Sequence, residues 1–357
     1  MSGQVHVVMP AGVRDPARPS GGNAYDTRVC AGLAERGWSV REHEVDGPWP
    51  AWDRDAQARL ARVLGSVPDG DVVFVDGLVG STAPDVLGPA ADRVRLGVLV
   101  HMPLGHAFPD DPGVVEAERR VLRGAAVVVV TSAWTRGWLV DAYRLDPARL
   151  RVAVPGADRA APTRGSASGG RLLTVGPVSR GKGHDSLMAA MGLLGDLDWR
   201  LDCVGSLTID PETVVLVLRS ARAAGGRVRV AGPLRRGQLE AAYAAADLLI
   251  HPSRSETYGM VVTEALARGI PVVASDVGGT WESVGVAGAF GRPGLLVAPD
   301  DSEGLAAAMR AWLTDEDVRR RLRVAAAVRR DELPTWDATV TAVEKGLLST
   351  ALAGAVR

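Results

Sequence analysis

Short runs of β-branched apolar residues recur along the chain, separated by longer stretches with helical spacing. Val5–Pro10 (VHVVMP), Asp71–Gly77 (DVVFVDG), Arg95–His101 (RLGVLVH), Ala125–Ser132 (AAVVVVTS) and Arg151–Pro155 (RVAVP) read as strands. They are apolar on both faces, which suits parallel sheets covered by helices. Stretches such as Ala24–Gly37 (AYDTRVCAGLAERG) lie between them and end at glycine, a common helix stop. Residues 156–170 are small, polar and rich in Gly, Ser and Pro, the composition of a linker. The alternation then resumes with Arg171–Pro177, Trp199–Gly205, Arg227–Pro233, Asp247–Ser253, Ile270–Ser275 and Gly294–Pro299. Three helices are predicted to close the chain, over Ser302–Leu313, Asp315–Arg330 and Trp336–Leu352. The pattern predicts an α/β protein with two doubly wound domains, 1–155 and 171–335. Ligands of such sheets bind beyond the carboxyl ends of the strands, so two such domains predict a cleft between them.

Composition narrows the function. The 357 residues carry a formal net charge of −1, so no global field draws nucleic acid or an acidic membrane. Any anion must be held locally. Almost all basic residues are arginine; Lys182 and Lys345 are the two lysines. The arginine-rich helix around VRRRLRVAAAVRR reads as a solvated face beside an apolar stripe. Cys30 and Cys203, in a predicted helix and a predicted strand, form no disulfide framework or zinc spacing and read as buried. The start, MSGQVHVVMP, has no charged leader before a long apolar run, and no segment reaches the ~18 apolar residues of a membrane span. The expected location is cytoplasmic.

Two segments carry candidate chemistry. In TVGPVSRGKGHDS, Gly176 is followed after four residues by Gly181-Lys182, most of a phosphate-binding P-loop. The Ser or Thr that would hold Mg²⁺ is replaced by Gly183. Arg180 and Lys182 flank a turn whose glycines let backbone N–H groups approach an anion. The loop suits a diphosphate held by side chains without metal; the plainer reading is a glycine-rich turn with exposed cations. In SRSETYGMVVTEALARGIPVVAS, Glu256 is placed in a loop after a strand. Gly259 is expected to begin a helix that carries Glu264 in its second turn. N–H groups at a helix start can take a phosphate. The two carboxylates would repel one, so they are expected to face sugar or ribose hydroxyls. The plainer reading makes Glu264 a surface helix residue.

Glu256 and Glu264 with the following ALARGIPVVASDVGG closely resemble the signature of retaining family 4 glycosyltransferases. These have the GT-B architecture, two Rossmann-like domains facing each other across a cleft. VGPVSRGKGHDSLMAA resembles their diphosphate loop, and PSGGNAYDTRVCAGLAERGWSV their amino-terminal glycine loop, with Gly21 and Gly22 in the loop. VHMP resembles the strand end that bears their active-site histidine, here His101; VPGAD resembles the start of the second domain. LPTWDATV resembles the start of a last helix that crosses back to complete the first domain, here about 336–357. The resemblance covers essentially the whole chain.

It implies that Arg180 and Lys182 bind the donor diphosphate and stabilise it as it leaves. It implies that Glu256 and His101 contact the donor sugar, that Glu264 holds the ribose, and that Tyr258, Gly259, Met260 and Val261 present backbone nearby. Gly22 would approach phosphate or sugar, with Gly176 in the diphosphate loop. Gly205, Pro233 and Leu234 would lie near the base. The implied reaction is metal-independent, retaining transfer from a nucleotide-diphosphate sugar, UDP-sugar favoured, to an unidentified hydroxyl acceptor, small or lipid-linked. No cofactor, no metal and no nucleic-acid partner are expected. Rival readings are an epimerase or phosphorylase of related fold, or a degenerate nucleotide-binding non-enzyme.

Other polar residues weigh less. His101, His106 and His184 have no recognised metal spacing, and His184 is expected to start a helix. The triplets Asp53-Arg54-Asp55 and Asp196-Leu197-Asp198 read as helix caps or loops. Arg14 and Asp76-Gly77 are candidates for acceptor loops.

Overall fold

The structure, a computed structural model, describes residues 3–15 and 20–353. The chain divides into two compact units: residues up to Gly156 together with those from Pro334 onward, and Ala157–Leu333.

The first unit is built on strands β1 (Gln4–Pro10), β2 (Ser39–Val45), β3 (Val72–Asp76), β4 (Arg95–Val100), β5 (Val127–Val130) and β6 (Leu150–Val152). They form one parallel sheet in the order β2-β1-β3-β4-β5-β6. Alternate residues face two separate apolar cores. Val73, Val75, Val98 and Val128 enter one; Val7, Phe74, Leu99 and Val129 enter the other. The strands are therefore apolar throughout, as a sheet covered on both faces requires. The polar β2 (SVREHEV) escapes that rule and was not anticipated. It is an edge strand with mostly exposed side chains, held by its backbone register with β1.

The last helix, Trp336–Ala353, packs in the first unit beside the helix Gly21–Glu35. Gly32 lets the two approach: a Cβ there would come within 2.5 Å of Val340. The Thr339 hydroxyl donates to the Val154 carbonyl at 2.7 Å, and the Trp38 indole N–H to Glu344 at 2.8 Å.

The second unit holds β7 (Arg171–Val175), β8 (Arg200–Val204), β9 (Val228–Gly232), β10 (Leu248–His251), β11 (Val272–Ser275) and β12 (Gly294–Val297). Their order is β12-β11-β10-β7-β8-β9, again all parallel. This is the Rossmann order, with the strand order reversing between β7 and β10. Helices Ser302–Thr314 and Glu316–Asp331 pack in this unit, within a residue of their predicted limits. On the second of them Leu322, Ala325 and Ala326 are buried, while Arg319, Arg323 and Arg330 donate to backbone carbonyls.

Residues 157–170 form no regular element, yet they are tied to the second unit. Thr163 N–H donates to the Arg268 carbonyl at 2.9 Å, and the Ser166 hydroxyl donates to the buried Asp247 carboxylate at 2.5 Å. Among the described residues no helix is long and apolar enough to cross a membrane.

Candidate functional site

The segments after β7 and β10 leave adjacent strands at the reversal point of the second sheet, where a doubly wound sheet opens a crevice. The first runs through Gly176–Gly183 into the helix His184–Gly192. Gly183 caps that helix with φ of 69°, and a Cβ there would sit 1.8 Å from the Pro252 carbonyl oxygen. Only glycine fits, so the hydroxyl side chain of a P-loop is sterically barred. Gly176 and Gly205 bring two strand ends together: a Cβ on Gly205 would lie 1.9 Å from the Gly176 oxygen.

From this loop the Lys182 ammonium reaches Glu256 at 2.9 Å. Glu256 also meets the His251 ring at 3.1 Å and accepts from the Thr257 N–H at 3.2 Å. Burial raises the Glu256 pKa, but Lys182 and His251 outweigh burial and hold the carboxyl well below the usual range. Its backbone is pinned as well: Gly279 N–H donates to the Glu256 carbonyl at 3.0 Å, and a Cβ on Gly278 would lie 1.8 Å from that oxygen. These are the two glycines of DVGG.

Gly259, at φ 91°, caps the helix Met260–Leu266. That helix carries Glu264, which accepts from the Tyr243 hydroxyl at 2.7 Å, while the Arg268 guanidinium lies 4.5 Å over the Tyr243 ring. Burial pushes Glu264 upward against the opposing effects of Tyr243 and Arg268. It is not a plain surface residue. The Tyr258 side chain is buried, which leaves its backbone as the group it can offer a ligand.

The first unit gathers a different set at its own reversal point, between β1 and β3. His101 follows β4, Asp76 ends β3, and Asp26 lies on the helix after β1. The His101 Nε2–H donates to Asp26 at 2.8 Å. One ligand-capable atom from each of Asp26, Asp76 and His101 lies within 4.8 Å of the others, a grouping able to hold a cation. One oxygen of buried Asp26, Oδ2, has no hydrogen-bond partner. Burial and the neighbouring Asp26 push Asp76 to about 7, against His101 and the Leu78 N–H. Burial alone would lower His101, but Asp26 and Asp76 carry it to about 9. The two carboxyls thus favour the charged form of the His101 ring, while burial and Asp26 favour the protonated form of Asp76. Gly22 faces this ring: a Cβ on it would stand 3.2 Å from His101 Cδ2.

Residues 168–329 match the glycosyl transferases group 1 family. A D-inositol 3-phosphate glycosyltransferase of Catenulispora acidiphila is 31% identical over 331 residues, 84% of this chain and 77% of that protein. This chain belongs to the group 1 glycosyltransferase family. A protein of the same description from Kineococcus radiotolerans is 35% identical over 260 residues, and a third from Pseudarthrobacter chlorophenolicus is 33% identical. The chain spans 59% and 53% of the lengths of these last two. Among solved structures, sucrose-phosphate synthase from Thermosynechococcus elongatus superposes with a TM-score of 0.79 over 99% of this chain and 100% of that one, at 22% identity. Anabaena HepE in complex with UDP and glucose gives 0.75 over 97% of this chain and 99% of that one, at 17% identity. Such likeness shows the fold, the two-domain α/β GT-B architecture.

In this family member Lys182, Glu256 and His251 meet in one cluster, with Gly176 and Gly205 at the neighbouring strand ends. Pro233 and Leu234 follow β9. Met260 and Val261 open the helix that bears Glu264. Arg180 does not join the cluster. Its side chain is 78% exposed, 3.9 Å from Asp185. Gly21 and Gly22 are not loop residues but the first turn of the helix Gly21–Glu35, capped by the Ser20 hydroxyl. Gly22 leaves that turn room beside His101, where a Cβ would make a tight contact.

The sequence reading overlooked Asp26, His251 and Arg254. Arg254 forms a two-pronged ion pair with Asp185 at 2.7 and 3.0 Å, and its N–H donates to the Gly181 carbonyl, so it ties the β10 loop to the diphosphate loop. Its place inside SRSET was the available signal. Of the Asp-x-Asp triplets, Asp53 caps the helix Arg54–Gly65. Asp196 is no cap; it pairs with Arg310 at 2.7 Å.

Proposed function

We propose that the protein transfers a sugar from a nucleotide-diphosphate donor, a UDP-sugar foremost, to a hydroxyl acceptor, with retention at the anomeric carbon and no metal. The observation that carries this reading is the Lys182–Glu256 pair at the reversal point of the second sheet. A lysine that already compensates a largely enclosed carboxylate is held in place before the donor arrives. The diphosphate then takes up its remaining N–H donors, and Glu256 accepts from sugar hydroxyls. As the bond from the anomeric carbon to the phosphate oxygen breaks, negative charge grows on the diphosphate, where Lys182 is already oriented to meet it. The acceptor oxygen bonds the anomeric carbon on the same face, and its proton passes to the departing phosphate. Glu264 takes ribose hydroxyls. On the first unit, His101 keeps Nε2 on Asp26 and has Nδ1–H free for a hydroxyl. The relatives described as sugar transferases and the UDP bound to HepE favour this donor class.

The test is thermal stability against UDP, GDP, ADP, CDP and dTDP, with and without EDTA. Selective stabilisation by UDP that EDTA leaves intact and Lys182→Ala removes is the expected result. A hundredfold excess over the dissociation constant corresponds to ~2.7 kcal/mol. A shift that requires Mg²⁺ would overturn the metal-free clamp. The anomeric configuration of the product, read by NMR, tests retention.

A further inference from the structure

The second sheet also gathers charge at its amino ends, opposite the crevice that holds Lys182. Arg171 opens β7 and Arg200 opens β8, and the two are register partners. Partners on neighbouring strands project from the same face about 4.8 Å apart, and like charges so placed repel. The backbone fixes both residues there: Arg171 N–H donates to Asp247 at 2.9 Å, and Arg200 N–H to the Gly170 carbonyl at 2.8 Å. Among the described residues neither guanidinium has a hydrogen bond or an ion pair.

The carboxylates nearby do not cancel this charge. Buried Asp247 accepts from the N–H groups of Ser166 and Arg171 and from the Ser166 hydroxyl. Asp202 takes a two-pronged ion pair from Arg229, both contacts at 2.7 Å. Asp198 is exposed and pairs with neither free arginine. Arg227 lies 4.3 Å over the Trp199 ring and donates to the Leu197 carbonyl at 3.3 Å, so its charge too is left without a carboxylate. These residues meet in a cavity of about 280 Å³, whose lining sets Arg171, Arg200, Arg227 and Arg229 against Asp202 alone. Ala242 and Ala245 of the helix Arg236–Ala245 also line it, and their small side chains leave the space open.

Guanidiniums offer planar sets of N–H donors that match phosphate oxygens. A dianion placed between Arg171 and Arg200 turns their repulsion into attraction. The volume lies below the roughly 300–1,000 Å³ of pockets for drug-sized ligands, so it suits a phosphate with a small substituent. We infer that the second unit carries a second anion site, at the amino ends of β7 and β8, that takes the phosphate group of a small phosphorylated compound. Strand β7 has five residues, each rising about 3.3 Å. The site therefore stands a strand's length from the Gly176 loop, and it does not depend on the donor reading.

The full-length protein is titrated by calorimetry with inorganic phosphate, glucose 6-phosphate and glucose at constant ionic strength. Both phosphate compounds are expected to bind and glucose not; the tighter of the two shows whether free phosphate or its ester is the source. Arg171→Gln, Arg200→Gln and Ala245→Glu are each expected to weaken phosphate binding about tenfold or more. Lys182→Ala is expected to leave it unchanged. In phosphate-free buffer Arg200→Gln should melt no lower than the unaltered protein, because it relieves the repulsion. Failure of both phosphate compounds to bind overturns the inference, as does glucose binding as tightly as its phosphate. So does binding that all three cavity variants leave intact, or binding lost in Lys182→Ala, which would put the anion on the Gly176 loop. A fall in the melting temperature of Arg200→Gln counts against the like-charge pair.

Discussion

Glu256 and Asp76 occupy comparable places. Each is a carboxyl with little solvent exposure at the carboxyl end of a parallel sheet, beside the point where strand order reverses. Their protonation differs. Glu256 meets Lys182 and His251 and is held well below the carboxylate range; Asp76 meets Asp26 and is driven to about 7. Burial acts in the same direction on both, so the neighbour decides the outcome. Fold position supplies the crevice, and the one or two side chains that share it set which charge it welcomes. The second unit thereby presents an ammonium beside an ionised carboxylate, and the first a histidine beside two carboxyls.

The largest test of that contrast is to remove the deciding neighbour. Lys182→Ala is expected to reduce turnover by roughly 10²–10³, the loss typical when a preorganised donor to a leaving group is deleted. UDP affinity should fall with it, and Glu256→Gln in the same chain should restore stability but not turnover. Steady-state kinetics and thermal melts on the single and double variants check this. Turnover near that of the unaltered protein would remove Lys182 from the site.

Glu118→Ala comes next. It strips a wholly buried acceptor from the Leu104 and Gly105 N–H groups and the Tyr143 and Ser81 hydroxyls. The expected cost is about 3 kcal/mol of stability, since unsatisfied buried groups cost ~1–3 kcal/mol each. UDP affinity should hold, because the damage is confined to the first unit. Denaturant titration beside UDP titration separates the two.

The pH dependence has a definite sign. His101 is raised to about 9, so its contribution is complete below its ordinary value of 6.5 and is lost as pH rises toward 9. Asp76, raised from 3.8 to about 7, keeps its proton in the fold after the unfolded chain has lost it, so stability also falls from pH 3.8 to 7. Glu256 acts oppositely: its contribution is present above 4.5 and is lost only in strong acid. Between pH 6.5 and 9 the loss should be on the order of 2–3 kcal/mol. His101→Gln should flatten that limb, and melting temperatures across the range would show whether it does. The smallest effect is at Asp53, whose carboxylate accepts from the Ala56 N–H at 2.8 Å. Asp53→Ala should cost about 1 kcal/mol as a lost helix cap and change neither ligand.

Sequence pattern was enough to find the apolar strands, because a strand covered on both faces must be apolar wherever it is read. It was blind to β2, whose SVREHEV is held by backbone pairing along one edge and needs no apolar signature. Glu256, Glu264 and Lys182 stood out because they lie in short glycine-marked segments whose spacing is itself informative. Asp26 did not, since it is one more polar residue on a helix until folding brings it to His101, 75 positions away. Arg254 acts across a similarly long gap, 69 positions to Asp185, and nothing in the local sequence marks Glu118 as wholly buried. Contacts between distant segments leave no local trace.

Gly183 has a consequence for how this loop can change over time. A serine there would complete the letters of a triphosphatase motif through one codon change, but the Pro252 carbonyl occupies the space its side chain would need. The end of β10 would have to shift first, and Arg254 and Glu256 with it. Sequences that look one substitution apart are thus separated by a valley that no single mutation crosses. The loop is locked into its present chemistry by the strand beside it.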